Sequence, residues 1–383
     1  MTKTKPHLYR KYGKSFYKLL SKHIIRQLPV ADEGKRKDSY TTEEIKRLLI
    51  QAMISPGKSL EDECVQRREY IETPTSQTMI RRLKRGETEN IRLKVNAFLK
   101  KKFSCIQRRY RKKTIFLAID AHDEPYYGKN MDWTCGGRRK QSTTTFTRVI
   151  AFYVVHPGRP LLVALSPMQE SEAKTAVLLI QELLQWFPAG RKIVFLGDGK
   201  YYNVDLLQTL HTCGWDYIIR GHHSGELKKH CLSLEYQRKE GEGYTFYHRV
   251  QKGKGYPIRY VMTRAVVYYG HSGANSWVTS LSCYSASRIV QWYKRRFRIE
   301  NAFRDMRPFL LRTCSHHACV RFQLLWGALI LHTLLQYLLL VLLPPSIWNC
   351  NRFAPCPLEQ HRVHHYSYLF YCRVLFALKE VKL

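Results

Sequence analysis

Three acids in this sequence stand where metal-dependent chemistry would need them. Asp120 closes the short apolar run Ile115–Ile119, and Asp198 lies two residues past a second run, Ile193–Leu196. Glu300 sits in a cation-rich stretch, YKRRFRIENAFRDMR. Both apolar runs read as buried strands. If they lie side by side and parallel, Asp120 and Asp198 emerge at one edge of a sheet. Two carboxylates held together repel unless a cation neutralises them. Mg²⁺ (with Mn²⁺ as its substitute) suits that role, because it takes carboxylate oxygen and water and leaves positions for phosphate. A third acid completes a site for two ions: one activates a water or a 3′-hydroxyl, the other stabilises the leaving oxygen of a phosphodiester.

Helical geometry bears on the third acid. At about 100° per residue, Tyr293, Arg296, Glu300 and Arg307 fall within about 60° of one another. The neighbouring stripe, Trp292, Ile299, Phe303 and Met306, is apolar and would dock the helix on a sheet. A solvated Arg–Glu helix has the same look, so the face alone does not fix Glu300.

The elements around these acids predict their frame. Ile115–Ile119, Thr143–His156 and Arg159–Met168 read as strands, with Pro157-Gly158 as the turn between the last two. A helix over Glu170–Phe187 carries Ala173, Val177, Ile180, Leu184 and Phe187 at helical spacing. A strand to Leu196, a helix over Tyr202–Thr212 and a strand over Asp216–Arg220 follow. The order β-β-β-α-β-α-β predicts an α/β RNase H-like core with a mixed sheet. Residues 221–283 read as an all-β insertion, with strands at Tyr244–Val250, Tyr256–Tyr269 and Trp277–Ser282. A long helix from Ala286 to about Met306 then carries Glu300.

Residues 1–113 read as a helical, basic DNA-binding region. Thr41 with Glu44 forms a capping box opening a helix with Ile45, Leu48, Leu49 and Met53 on one face. Further helices are expected over Leu60–Tyr70 and Ser76–Arg85. The last carries Arg81 and Arg82 toward DNA, in the manner of a helix-turn-helix, although any small helical bundle shares the pattern. Lys100–Lys113 holds eight Lys/Arg and no acid, as a solvated face, a linker or a phosphate clamp. The expected organisation is therefore 1–113, a first part of the core over 114–220, the insertion over 221–283, and completion of the core with a helical tail over 284–383.

Bulk composition narrows the partner. The 383 residues carry 64 Lys+Arg against 30 Asp+Glu, a formal net charge of +34, which calls for a polyanion. With 44% hydrophobic and 13% aromatic residues the chain can bury a core, which excludes a disordered polycation. The 11 cysteines include no CxxC pair, so free thiols are expected rather than a zinc site. Leu324–Leu343 is long enough to span a bilayer, but His332 and Gln336 within it favour a helix buried in a soluble protein.

The motifs around the acids resemble those of a known family. Tyr293-x2-Arg296-x3-Glu300-x6-Arg307 is similar to the Y-R-E-K signature of DDE transposases from bacterial and archaeal insertion sequences, with Arg307 in place of the usual Lys. AIDAHDEPYYGK, Ala118–Lys129, resembles the first-acid segment of a subgroup common in archaea, and FLGDGKYYN, Phe195–Asn203, resembles the second. The separations are 78 residues from Asp120 to Asp198 and 102 from Asp198 to Glu300. The resemblance covers about Ile115–Phe309. It implies an enzyme that cleaves transposon ends and joins them to target DNA, with Asp120, Asp198 and Glu300 as ligands of two metal ions. It also implies that Tyr293, Arg296 and Arg307 contact phosphates. Lys200 is a further candidate DNA contact, and Trp277 is a candidate for stacking on a flipped base or for plain packing. The partners implied are terminal inverted repeats and target DNA, bound by a homodimer with no membrane, in the nucleoid of a prokaryotic cytoplasm. An RNase H-like nuclease, or a transposase-derived protein that binds DNA without cutting, shares the fold and remains the alternative.

Overall fold

The computed structural model describes residues 40–54, 59–68, 74–107, 110, 113–156, 159–168, 170–188, 190–221, 225–237, 243–252, 259–270 and 273–342. The turn at Pro157-Gly158, most of the basic run after Gln107, and the tail with Cys350 and Cys356 lie outside them. The chain groups into two compact units, Met1–Val95 with Asp305–Leu383, and Asn96–Arg304. These borders differ from the ones expected at 113 and 284, and residues 305–342 group with the N-terminal helices.

In the first unit, α1 (Thr42–Ile54), α2 (Leu60–Arg68) and α3 (Ser76–Lys84) are followed by the start of α4 (Thr88–Gln107), and α10 (Ala318–Leu342) returns from the far end of the chain. Thr41 caps α1 as its sequence predicts. Its backbone N–H donates to Glu44 Oε2 at 2.7 Å, and Glu44 N–H donates to Thr41 Oγ1 at 3.2 Å. Ile45, Leu48, Leu49 and Met53 are all buried. The helix α10 is apolar and long enough to cross a membrane by composition, but most of it is buried in the protein. Some of its polar groups are bonded there: Gln323 Nε2 donates to Leu83 O at 2.7 Å, and His332 and Gln336 bond each other at 3.1 Å. At Gly327 a Cβ would stand 2.8 Å from Met53 Sδ, so the glycine lets the Met53 side chain of α1 lie against the helix backbone.

The second unit is built on one nine-stranded sheet. Its strands are β1 (Ile115–Pro125), β2 (Cys135–Lys140), β3 (Thr143–His156), β4 (Leu161–Pro167), β5 (Ile193–Gly197), β6 (Asp216–Arg220), β7 (Gly243–Lys252), β8 (Arg259–Gly270) and β9 (Gly273–Thr279). They run in the order β2-β3-β1-β5-β6-β9-β8-β7, with β4 also paired to β3. As the sequence predicts, the strands of Asp120 and Asp198 are neighbours and parallel, with Ala118 opposite Leu196.

Two helical layers cover the sheet. On one face α5 (Glu172–Leu184) and α6 (Val204–Thr212) bury Leu179, Ile180, Leu183, Leu206, Leu207 and Leu210 against alternate residues of the strands, including Leu117, Ile119, Phe152 and Phe195. On the other face lie α8 (Ala286–Tyr293) and α9 (Phe297–Met306). There Phe116 meets Trp292 at 5.4 Å and Tyr153 meets Phe303 at 5.7 Å, ring to ring.

Three expectations change. Asp120 does not end its strand: β1 continues to Pro125, paired with β3 after its partnership with β5 stops at Ala118. The segment expected to be all β opens with a helix, α7 (Gly225–Gln237), and its three strands extend the central sheet because β9 pairs with β6. The long helix over Ala286–Met306 is broken by a 3₁₀ turn at Lys294–Arg296. Three residues at the tighter 3₁₀ pitch turn the chain by about 60° more than an α-helix would, which sets Arg296 over Tyr293 and keeps Glu300 within about 40° of both, so the three still share one face.

Candidate active site

Backbone pairing delivers the first two acids. Asp120 lies on β1 two residues beyond the last pair with β5, opposite Ala151 of β3. Asp198 follows β5 directly and caps a 3₁₀ turn, Gly199–Tyr201, by accepting from Gly199 N–H at 2.7 Å. Gly197 permits this sharp exit, since a Cβ there would meet Phe195 at 2.8 Å and the Cβ of Tyr201 at 3.2 Å. Glu300 comes from α9, in its first turn, with its side chain 47% exposed.

Arg296 joins these acids. Its Nη1 donates to Asp120 Oδ2 at 2.9 Å and its Nη2 to Glu300 Oε1 at 2.5 Å. The guanidinium is buried, lies 5.8 Å from the centre of the Tyr293 ring, and stays protonated: burial opposes its charge, but Tyr293, Asp120, Glu300 and Asp198 outweigh that. Asp120 goes the other way. Burial pushes its carboxyl up; Arg296 and the Ala121 N–H pull it down; Glu300 and Asp198 push it up again, and the net result is raised. One cation does not satisfy three acids. Burial raises the Tyr293 hydroxyl to about 12 and holds that of fully buried Tyr201 well above its usual value, with Glu172, Asp120 and Asp198 adding to the latter.

The donor chemistry fits a hard divalent cation: three carboxylates on three separate elements, one of them raised by burial and then by its acidic neighbours. As arranged, the acids are not a closed cage. Among the described residues no three His, Cys, Asp or Glu side chains converge on one point as ligands, and Arg296 holds two of the acids instead.

A second ionic cluster, largely unseen in the sequence, adjoins the first. Its members are Asp123, Arg148, Glu172 and Lys200. Arg148 forks onto Asp123, Nε to Oδ1 at 2.5 Å and Nη2 to Oδ2 at 2.9 Å, and its Nη1 donates to Glu172 Oε1 at 2.9 Å. Lys200 Nζ donates to the same Glu172 oxygen at 3.0 Å. Burial alone would raise the Asp123 carboxyl, but the Arg148 bonds, with Lys140 and Lys200, hold it below its usual value. The available signal was Arg148 itself, a lone charge inside the β-branched, aromatic strand β3.

The other candidates fall into two groups. Tyr293 is buried, and Trp277, which pairs across the sheet with Arg220 and Val266, is only 7% exposed and lies 5.7 Å from the Tyr293 ring. Trp277 is therefore a packed strand residue beside the site. His122 is buried in β1; it bonds Glu124 at 2.6 Å and lies 4.9 Å from the Phe303 ring. In the first unit, Arg307 is exposed in the 3₁₀ turn after α9 and Arg81 is exposed on α3. Arg82 is buried and donates to Thr42 Oγ1 at 3.1 Å, tying α3 to α1, which takes it off the surface.

Comparison with known proteins agrees with this architecture. The profile described as "Transposase DDE domain" matches residues 97–335. No curated protein matches the sequence. Among solved structures, the chain is similar to the piggyBac transposase synaptic complex with hairpin DNA, determined by cryo-EM. The TM-score is 0.50 and the identity 11%, over 85% of this chain and 74% of that one, so the likeness is one of fold.

Proposed function

The chain belongs to the DDE transposase family, and from that premise we propose that Asp120, Asp198 and Glu300 are the acids with which it cuts transposon ends and joins them to target DNA. DNA transposition by a DNA-cutting transposase is the family's activity, and DNA is its partner. Asp120 carries the site assignment. It is one of three acids from separate elements, bonded by the same Arg296 that bonds Glu300, and its carboxyl is raised by its own burial, which Arg296 only partly offsets, and by Glu300 and Asp198.

The three carboxylates would hold two divalent ions, Mg²⁺ or Mn²⁺. When bound, the ions polarise the scissile phosphate and lower the pKa of an attacking water or 3′-hydroxyl. This chain's own residues set the geometry. The turn after Gly197 fixes Asp198, β1 fixes Asp120, and Arg296 with buried Tyr293 fixes the approach of Glu300. Since Arg296 already bridges two of the acids, we assign it to holding them and, beside them, a phosphate as charge builds in the reaction. Lys200, 57% exposed, and Arg307 and Arg81, both exposed, are assigned to the DNA backbone, Arg307 through a planar fork where its relatives' Lys acts as a point charge. Trp277 supports Tyr293 by packing. Pairing two ends calls for a homodimer, acting at the nucleoid of a prokaryotic cell.

The deciding experiment incubates the full chain and Mg²⁺ with a duplex spanning the inverted repeat that flanks its gene. We expect the wild type to cut, a chelator to stop it, and Asp120→Ala, Asp198→Ala and Glu300→Ala each to lose at least about a thousandfold in rate while still binding the duplex. Equal cutting by all three variants would remove the assignment. A wild type that binds without cutting would favour the DNA-binding alternative.

A further inference from the structure

The β2–β3 hairpin has no part in the reaction just described, yet it is built in an unusual way. From Gly136 to Lys140 every residue of β2 is exposed, with Arg138, Arg139 and Lys140 in succession and Lys129 exposed in the preceding loop. The turn is made by Gln141 and Ser142, the non-glycine residues with positive φ among those described, at 46° and 65°. Two successive left-handed residues suit the twist of a hairpin, but that position normally takes Asn-Gly. Gln and Ser adopt it at a cost, and such strain persists only where the surroundings impose it, commonly at functional sites.

Here the surroundings do impose it. The exposed Tyr127 donates its hydroxyl proton to Gln141 O at 3.0 Å, and Thr143 Oγ1 donates to Tyr126 O at 2.8 Å. Tyr126 is buried, 5.0 Å from the Trp133 ring. At Gly136 nothing lies within 4 Å of where a Cβ would stand, so packing does not require the glycine; bare backbone at that point lets another backbone come close.

We propose that this ribbon grips the phosphate backbone of the DNA duplex about eight base pairs from the cut. The spacing comes from register. Asp120 pairs with Ala151, and eight residues separate Ala151 from Thr143 at the turn (151 − 143 = 8). At about 3.3 Å per residue that is about 26 Å along β3. A duplex rises about 3.4 Å per base pair, so the same length covers about eight pairs. A two-stranded ribbon fits the major groove, and arginines flanking its tip meet the phosphates on either side. This rests on the reading of Asp120 as part of the cutting site. A row of cations on so basic a chain is otherwise just a solvated face, and the test must separate the two.

Lys140 is already engaged, 3.8 Å from Asp123 and over the Phe146 ring, so Arg138 and Arg139 are the residues to change. The full chain with R138A and R139A is compared with one carrying K228A and K229A, which removes the same charge from exposed positions on α7. The probe is the duplex spanning the flanking inverted repeat, titrated over graded salt and footprinted with hydroxyl radicals. The ribbon variant should bind about tenfold more weakly, with a log–log salt slope shallower by about two, since each lost phosphate contact removes about 0.9. It should also lose protection centred about eight pairs from the cut, while the α7 variant keeps it. Protection on the element's side of the cut would assign the ribbon to the transposon end, and on the other side to flanking or target DNA. Equal weakening of the two variants, or unchanged protection in the ribbon variant of an enzyme whose wild type cuts, overturns the ribbon alone. A wild type that neither cuts nor protects the duplex overturns both readings.

Discussion

Strand β1 carries two acids three residues apart, Asp120 and Asp123, which project to opposite faces of the sheet, and each is held by an arginine that also holds a glutamate. The chemistry of the two clusters is the same and their electrostatic outcome is opposite. On the α9 side Arg296 faces Asp120 and Glu300 with Asp198 close by, and Asp120 is pushed up. On the α5 side Arg148 is joined by Lys140 and Lys200 around Asp123 and Glu172, and Asp123 is pulled down. Burial pushes both carboxyls up; at Asp120 one arginine among acids does not offset it, and at Asp123 an arginine and two lysines do. The first cluster is short of positive charge and suited to receiving more; the second is balanced and suited to bracing. Lys200, two residues beyond Asp198, links the second cluster to the segment that carries the first.

The comparison breaks most readily at the aspartates themselves. Asp120→Asn should lower cleavage at least about a thousandfold while shifting unfolding free energy by less than about 1 kcal/mol, since it removes a charge that burial opposes and Arg296 only partly offsets. Asp123→Asn should do the reverse. It weakens a mostly buried fork and should cost about 2–4 kcal/mol in denaturant unfolding, with cleavage by the folded fraction within about tenfold of wild type. If the two variants show the same ratio of activity loss to stability loss, the division of labour is wrong.

A smaller effect is expected from pH at the rim of the α8–α9 face. His156 is lowered to about 4 by burial and then by Arg295, Arg298 and Lys113. The unfolded chain therefore binds a proton near pH 6.5 that the folded chain refuses, so stability is full above about 6.5 and falls as pH drops toward 4. The ring is part-exposed and screened, so the loss attributable to it is about 1–2 kcal/mol. Replacing His156 with Gln should flatten that part of the stability–pH curve, and an unchanged curve would show that the ring is free to charge.

Lys200→Met should give the least. Its ammonium is 57% exposed, so the ion pair with Glu172 contributes under about 1 kcal/mol, and stability should barely move. Affinity for the duplex should drop a few-fold if Lys200 also reaches a phosphate. Unchanged affinity with a measurable stability loss would make it purely a brace.

Much of this arrangement is legible in the residues alone. Apolar runs ending in Asp120 and Asp198 specify two buried strands, and the order of elements makes those strands parallel neighbours, because that pairing follows from short-range periodicity and chain topology. The capping box at Thr41 and the apolar face behind it are equally local, and both are present. What the sequence leaves open depends on partners distant along the chain. Ideal helical pitch puts Tyr293, Arg296 and Glu300 on one face, but it does not show the 3₁₀ turn at Lys294–Arg296 or that Arg296 pairs with Asp120, 176 residues away. Arg148 and Glu172 carry no motif, and only the register of β3 on β1 and the packing of α5 bring them to Asp123. Trp277 and Arg82 look the same in sequence whether they face DNA or the core; strand pairing and helix packing put both inside. Local periodicity thus determined the strands that carry Asp120 and Asp198, while where β1 ends and the balance of charge around each acid were decided by tertiary contacts, since strand pairs and ion pairs are set by distance in space rather than along the chain.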